Sequence, residues 1–251
     1  MLDSKINLDE IMNIEGFSWK VQLALLDLIC RIKNPKNVLE IGTWHGRSGV
    51  IFSSYVNDNK GTYWGIEPDP TRAGITETNC KKYCPDGQIV VERNISDYSD
   101  LKKNNIPWMD IVHIDGEHSY TAVFNDLNLA RKLLFNDGVI ILDDFYFDMY
   151  PQITQATYKW LDMNPDYVLF AAGVCKGLIC SKKHYKFWSD TLLSEDFVTT
   201  LKECNNGYSN KITITRTSPL MDCPTFGIST NISSNNFLGN EAGDGSLEHV
   251  C

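Results

Sequence analysis

Three carboxylates that directly follow apolar segments are the residues best placed to do chemistry. Asp115 ends the segment DIVHID, and Asp143 and Asp144 end VIILDD. Acids gathered in one cleft repel one another, and burying them without a cation would raise their pKa values or destabilise the fold. Oxygen ligands favour Mg²⁺, Ca²⁺ or Mn²⁺ over zinc, so the three acids predict a divalent metal site, with Mg²⁺ as the expected ion. Helix capping and a solvated loop are the alternative for the Asp143–Asp144 pair.

A histidine follows the first of these acids closely. His118 lies three residues after Asp115, where the loop is predicted to enter a helix. Because the ordinary pKa of imidazole lies near neutrality, His118 beside a metal-bound hydroxyl is a candidate general base. A structural or exposed histidine is the alternative. We predict His118 and Asp115 as the catalytic residues, and we interpret His113, inside the predicted strand, as a core or supporting residue.

A glycine-containing turn, EIGTWHGRS, follows an earlier apolar segment and predicts a nucleoside pocket. Gly42 and Gly46 allow a ligand to approach the backbone, and the helix that begins there offers free N–H groups. The spacing differs from the GxGxxG pattern of dinucleotide-binding proteins, which counts against the alternative of a nicotinamide-dependent oxidoreductase. Glu67 ends the next strand and suits the paired hydroxyls of a ribose.

A third strand leads to Asn94-Ile95-Ser96, for which two interpretations remain open. Ile95 and Ser96 are suited to frame an adenine ring between apolar and polar contacts. Ser96 is equally suited to cap a short helix.

These segments alternate with helical patterns from residue 37 to about 182. Strands without polar alternation, such as VIILD, are typical of parallel sheets that are buried on both faces. We therefore predict an α/β fold with a doubly wound, mostly parallel sheet, which binds ligands at the carboxyl ends of its strands. Residues 1–35 are expected to be a helical segment and 36–204 the catalytic domain. Residues 205–251 are expected to form an irregular extension that serves as a lid, an arm or a tail.

Composition excludes several classes of protein. The net charge is −9, which disfavours nucleic acid and anionic membranes as partners. The sequence has no apolar run of membrane-spanning length and no secretory pattern at its start, so we expect a cytoplasmic location. The eight cysteines lack metal or redox spacing, which predicts reduced, mostly buried thiols.

The motifs together resemble a known family. ExGTxxGxS after the first strand, an acid ending the second, DGxHxY after the fourth and DD after the fifth are similar to class I S-adenosylmethionine-dependent methyltransferases of the metal-dependent O-methyltransferase type. DGxHxY looks closest to a group that includes macrolide-sugar O-methyltransferases. The resemblance covers roughly residues 36–145. Bulky Trp44 and His45 in the turn are departures from it, as is Asp144 where catechol enzymes carry asparagine.

The resemblance implies roles for individual residues. S-adenosylmethionine would contact Glu40, Gly42, Thr43, Gly46, Ser48, Glu67, Ile95, Ser96 and Asp115. The metal would be held by Asp115, Asp143 and Asp144, and His118 matches the proposed base. The implied substrate is a hydroxyl of a small, sugar-like molecule, because a vicinal diol could chelate the ion. A homo-oligomer and a non-catalytic cofactor-binding or assembly protein both stay open.

Overall fold

A nine-stranded sheet runs through the part of the protein that the structure describes. The structure is a computed structural model, and it describes residues 6–93, 101, 105–204, 212–220 and 223–230. The strands are β1 (Asn37–Ile41), β2 (Thr62–Ile66), β3 (Gln88–Glu92), β4 (Met109–Ile114), β5 (Leu134–Asp143), β6 (Tyr167–Gly173), β7 (Lys176–Ser181), β8 (Ile212–Leu220) and β9 (Cys223–Thr230). The helices are α1 (Leu8–Ile11), α2 (Lys20–Lys33), α3 (Arg47–Asp58), α4 (Pro70–Tyr83), α5 (Tyr120–Leu133), α6 (Pro151–Met163), α7 (Tyr185–Leu192) and α8 (Glu195–Cys204).

The order of strands in the sheet is β3-β2-β1-β4-β5-β7-β6-β9-β8. The first five of these pair in parallel, and β6 pairs in parallel with β9. Strand β7 inserts antiparallel between β5 and β6 because it returns from β6 through a tight turn. The predicted α/β fold with a doubly wound, mostly parallel sheet is therefore confirmed.

Both faces of the sheet are covered, as the apolar strands predict. Along β5, Val139 and Ile141 belong to the core on one face, beside α2, α3, α7 and α8. Ile140 and Leu142 belong to the core on the other face, beside α5 and α6. Because successive side chains of a strand point to opposite faces, a strand buried on both sides is apolar at nearly every position.

The C-terminal extension differs from the sequence prediction. An irregular structure was expected after residue 204, but residues 212–220 and 223–230 form the antiparallel pair β8 and β9. The segment ITIT alternates apolar isoleucine with polar threonine. Ile212 is buried, and Thr213 and Thr215 are exposed. Its period of two is a strand signal that the sequence analysis did not use. The predicted domain boundaries, and a role as lid, arm or tail, stay predictions.

Other expectations concern thiols and membranes. Among the described cysteines, Cys30, Cys80, Cys84 and Cys180 are buried and unbridged, in agreement with the predicted reduced thiols. Within the described ranges, every helix is too short or too polar to cross a bilayer.

The position of β1 places a crevice at the carboxyl ends of the central strands. Strand β1 lies between β2 and β4, so the connections that leave it and β4 run to opposite faces. Gly42 follows β1 with a φ of +81°, and a Cβ built on it would lie 1.9 Å from the carbonyl oxygen of Asp115. The two chains can therefore meet at the floor of the crevice because residue 42 has no side chain.

The substitution Gly42→Ala should destabilise the protein by about 2–4 kcal/mol, because it combines a left-handed backbone with a clash against main chain that cannot move away. Urea unfolding followed by circular dichroism measures the change. Gly74→Ala is the matched control, since a Cβ at this position in α4 meets no atom within 4 Å. This control should be neutral or stabilise by up to about 1 kcal/mol. Equal stability of the two variants would contradict the close-approach argument.

Candidate functional site

A large cavity opens at the carboxyl ends of β1, β2, β4 and β5. Its volume is about 1180 Å³. Pockets for one small molecule usually measure roughly 300–1,000 Å³, so this cavity has room for a nucleoside-sized molecule and a second small ligand together. Predicted residues on its wall are Gly42, Thr43, Ser48, Glu67, Asp115, His118, Asp143 and Asp144.

Glu67 lies at one end of the cavity, directly after β2. One carboxylate oxygen accepts a hydrogen bond from the backbone N–H of Trp44 at 3.0 Å, and the other accepts one from the N–H of Asp69 at 3.1 Å. These bonds fix the carboxylate in place. Each oxygen keeps a second lone pair that a ligand hydroxyl can use.

The turn between β1 and α3 is held by its own backbone. Gly46 has a φ of +80°, precedes α3, and donates its N–H to the carbonyl of Thr43 at 2.7 Å. The Thr43 side chain is buried, and its hydroxyl bonds to the hydroxyl of Thr76 at 3.0 Å. Thr43 and Gly46 therefore shape the turn, and what Thr43 offers the cavity is chiefly main chain.

Glu40 lies behind the cavity wall. It is fully buried in β1 and is absent from the residues that line the cavity. Its carboxylate accepts hydrogen bonds from the hydroxyls of Ser48, at 2.5 Å, and Tyr63, and it contacts His113 Nδ1 at 2.9 Å. Its oxygens therefore face the interior, and its predicted contact with a cofactor stays a prediction. Glu40 positions Ser48 and His113.

The three predicted metal ligands come together at the other end of the cavity. Oxygens of Asp115 and Asp143 lie with a nitrogen of His113 in one group whose atoms are all within 4.8 Å. Oxygens of Asp115 and Asp144 form a second such group with a nitrogen of His118. Burial and the charge of Asp143 raise the pKa of Asp115 to about 7, and the same two causes raise the pKa of Asp144.

A lysine that the sequence analysis missed also faces this cluster. Lys176 begins β7, its side chain is fully buried, and its ammonium forms an ion pair with Asp143. Burial on its own would raise the pKa of Asp143, but the charge of Lys176, together with the backbone N–H of Asp144, outweighs burial and holds that pKa below its ordinary value. A lysine at the start of the buried run KGLICS was the available signal. Lys176 therefore supplies part of the positive charge that the three acids require.

His118 stands between the acids and the opening of the cavity. Its Nε2 lies 3.5 Å from Asp144 Oδ2 and 3.9 Å from Asp115 Oδ1. Its ring packs against Tyr150, with the two ring centres 4.1 Å apart. The interaction with Asp115, followed by the charge of Asp144, raises the pKa of His118 against the opposing effect of burial. Ser119 caps α5 by accepting a hydrogen bond from the N–H of Ala122, which fixes the loop that carries His118.

Unusual backbone conformations gather around the same end of the cavity. Asp144, Val174 and Cys175 have φ values of +51°, +46° and +58°. A positive φ is rare for residues with side chains and above all for a β-branched one, so the surrounding structure must hold these loops. The N–H of Phe145 donates to the carbonyl of Cys175 at 3.2 Å, which ties the two loops together.

The chain before α2 lines one side of the cavity. Phe17 and Trp19 line it, and the Phe17 ring lies 5.5 Å from that of Trp44. Arg47, at the start of α3, holds this segment by donating to the carbonyl of Ile14 from Nε at 2.7 Å and to the carbonyl of Ser18 at 2.9 Å. This wall was not predicted from the sequence, because it depends on contacts between Arg47 and residues about thirty positions earlier in the chain.

Two predicted cofactor contacts, Ile95 and Ser96, lie outside the described residues. The other predicted residues, apart from Glu40, line the cavity or shape its turn. The ligands assigned to these residues stay predictions.

Comparisons with known proteins agree with this arrangement. Residues 39–145 match the family model described as a methyltransferase domain. The O-methyltransferase ankF of Aspergillus thermomutatus is 27% identical over 124 residues, which cover 49% of this chain and 52% of that protein. The match thus spans about half the length of that relative. The uncharacterised protein R132 of Acanthamoeba polyphaga mimivirus is 32% identical over 161 residues, which cover 59% of this chain and 70% of that protein.

Solved structures with the same fold are also similar. The O-methyltransferase from Bacillus cereus, in complex with SAH, matches with a TM-score of 0.54 at 18% identity, over 70% of this chain and 90% of that one. CalS11, a TDP-rhamnose 3′-O-methyltransferase of calicheamicin biosynthesis, matches with a TM-score of 0.53 at 17% identity, over 72% of this chain and 88% of that one. At these identities the likeness establishes the fold.

The substitution Lys176→Met should lower the free energy of unfolding by about 3–5 kcal/mol, because it leaves Asp143 without its buried ammonium partner. Urea unfolding measures the loss. Lys186→Met is the control, since Lys186 is exposed and pairs with Asp190 at the surface, where the effect should stay within about 0.5 kcal/mol. The double variant Asp143→Asn/Lys176→Met should recover part of the loss. A Lys176→Met protein as stable as the wild type would refute the ion pair's role.

Proposed function

Because this chain carries a methyltransferase domain and belongs to the same family as the mimivirus protein R132, we propose that it transfers the methyl group of S-adenosylmethionine to a hydroxyl oxygen of a small polyhydroxyl molecule, with a divalent cation assisting. The observation that carries the proposal is that one cavity holds both Glu67 and the carboxylate cluster with His118. A nucleoside pocket and a site that activates hydroxyls therefore share one space.

The cofactor is assigned to the end of the cavity at Glu67. The fixed carboxylate is placed to accept hydrogen bonds from both ribose hydroxyls, as an acid at the end of the second strand does in related sheets. The backbone of Gly42 and Thr43 borders the same space, and Ser48 lines it with its hydroxyl held by Glu40. S-adenosylmethionine, when bound, supplies a methyl group on its sulfonium.

The residues at the other end fit a divalent cation. With Lys176 positive, the three carboxylates leave two negative charges, which one divalent ion balances. His113 Nε2 is buried beside them without a hydrogen-bond partner among the described residues. A cation held there would lower the pKa of a coordinated hydroxyl and orient two neighbouring oxygens of an acceptor. Oxygen ligands alone would favour Mg²⁺, and a nitrogen ligand would favour a transition metal.

His118 is assigned as the base. It would accept the proton of the acceptor hydroxyl as that oxygen bonds to the methyl carbon and the bond from the sulfonium to that carbon breaks, which leaves a neutral thioether. Asp144 and Asp115 contact the ring at Nε2 and stabilise the imidazolium that results, in line with the raised pKa of His118. The Tyr150 ring packs against the imidazole and limits its rotation.

The decisive experiment measures methyl transfer from labelled S-adenosylmethionine to a panel of sugars, nucleotide sugars and catechols, with and without a chelator. We expect transfer to vicinal diols, loss of transfer with the chelator, and recovery when a divalent cation is added back. Turnover that a chelator leaves unchanged would remove the cation from the mechanism. Cofactor binding without transfer to any acceptor would instead support a non-catalytic cofactor-binding protein.

Two variants should separate binding from chemistry. Glu67→Gln should weaken S-adenosylmethionine about 10–100-fold, measured by calorimetry, because charge-assisted hydrogen bonds to the ribose are lost. His118→Asn should lower kcat about 10²–10⁴-fold and leave the cofactor Kd unchanged. Glu77→Gln, on the outer part of α4 beside Lys81 and Arg93, is the control for both measurements. The assignment fails if Glu67→Gln reduces kcat with an unchanged Kd, or if His118→Asn acts mainly on that Kd.

A further inference from the structure

A histidine in the middle of the sheet points a ring nitrogen at the acids. His113 lies in β4, and its side chain has no exposed surface. Its Nε2 has no hydrogen-bond partner within the described part of the chain and lies 4.0 Å from Asp143 Oδ2, beyond hydrogen-bond distance. A buried polar atom without a partner is costly, so its place beside two carboxylates requires an explanation.

The other nitrogen of the ring is held firmly. His113 Nδ1 contacts Glu40 Oε1 at 2.9 Å, and the same carboxylate accepts hydrogen bonds from Ser48 and Tyr63. Because these two hydroxyls donate and an ionised carboxylate can only accept, the Nδ1 of His113 carries the proton. In the neutral ring, Nε2 then presents a lone pair to the acids. A carboxylate that orients a histidine in this way is typical of metal-ligating histidines.

We propose, on the basis of the proposed function, that His113 Nε2 is a direct ligand of the divalent cation together with Asp115 and Asp143, so that the site takes a first-row transition ion such as Mn²⁺ through nitrogen and oxygen. The three ligand atoms lie within 4.8 Å of one another. At bonds of about 2.1 Å, two ligands of one ion are about 3.0 Å apart when adjacent and about 4.2 Å apart when opposite. The 4.0 Å between His113 Nε2 and Asp143 Oδ2 falls between these two separations. An imidazole ligand shifts preference away from Mg²⁺ and towards transition metals.

The remaining contacts are compatible with this ligand set. Asp143 Oδ1 accepts the N–H of Asp144 at 2.8 Å, and Oδ2 pairs with Lys176. Each oxygen retains a lone pair for a cation. An ion bound in this deeper group leaves His118, which belongs to the shallower group around Asp115, to serve as a base instead of a ligand.

Pulsed EPR of the full-length protein loaded with Mn²⁺ tests the proposal. We expect modulation from a directly coordinated ¹⁴N nucleus, and its replacement by a ¹⁵N coupling when the wild-type protein is labelled with [¹⁵N]histidine. The coupling should persist in His118→Gln and vanish in His113→Gln. The latter variant should also bind Mn²⁺ at least 10–100-fold more weakly, the loss that follows removal of an outer partner alone.

The wild-type spectra decide the matter even if His113→Gln fails to fold. Bound Mn²⁺ without a nitrogen coupling would overturn the proposal and indicate a protonated ring that bridges Glu40 and Asp143. A coupling lost in His118→Gln would assign the ligand to the other histidine, and the absence of Mn²⁺ binding would also overturn the proposal. Methyl transfer measured in parallel separates the two hypotheses: chelator-sensitive transfer without a nitrogen coupling refutes only the His113 ligand. A nitrogen coupling without transfer to any acceptor refutes only the proposed function.

Discussion

The balance of charge at the carboxyl ends of β4 and β5 controls the rest of the site. Asp115, Asp143 and Asp144 lie close enough to share ligand groups, which costs free energy unless positive charge is near. The buried ammonium of Lys176 answers part of that cost and leaves a charge that suits a divalent ion. The ammonium therefore offsets part of the repulsion among the three carboxylates.

A buried network of polar side chains behind the cavity wall supports these acids. Glu40 does not reach the cavity, but it gathers Ser48, Tyr63 and His113 into one buried network. Such a network is costly unless every member is satisfied, and here the one nitrogen left over points at the acids. The buried polar side chains of β1 and β4 thus support the same site as the residues that line the cavity.

The loops that carry the acids are strained and closely packed. Gly42 lets the chain after β1 touch that after β4, and Asp144 adopts a left-handed conformation beside the similarly strained Val174 and Cys175. These features would be unfavourable in an isolated peptide. The sheet stabilises them because apolar residues on both faces of β5 anchor the strands from which the loops depart.

The sequence by itself determined the alternating strands and helices, the parallel core of the sheet and the convergence of Asp115, Asp143, Asp144, His118 and Glu67 on one cavity. These follow from local periodicity and from the rule that parallel strands present their carboxyl ends at one edge. Only the tertiary structure decided that Glu40 faces inward, that Lys176 and His113 join the acids, and that β8 and β9 extend the sheet. Each of these depends on pairing between distant segments, above all the antiparallel insertion of β7 beside β5 that brings Lys176 opposite Asp143. Local sequence patterns do not encode such pairings, because the side-chain contacts that stabilise them form only when the strands pair.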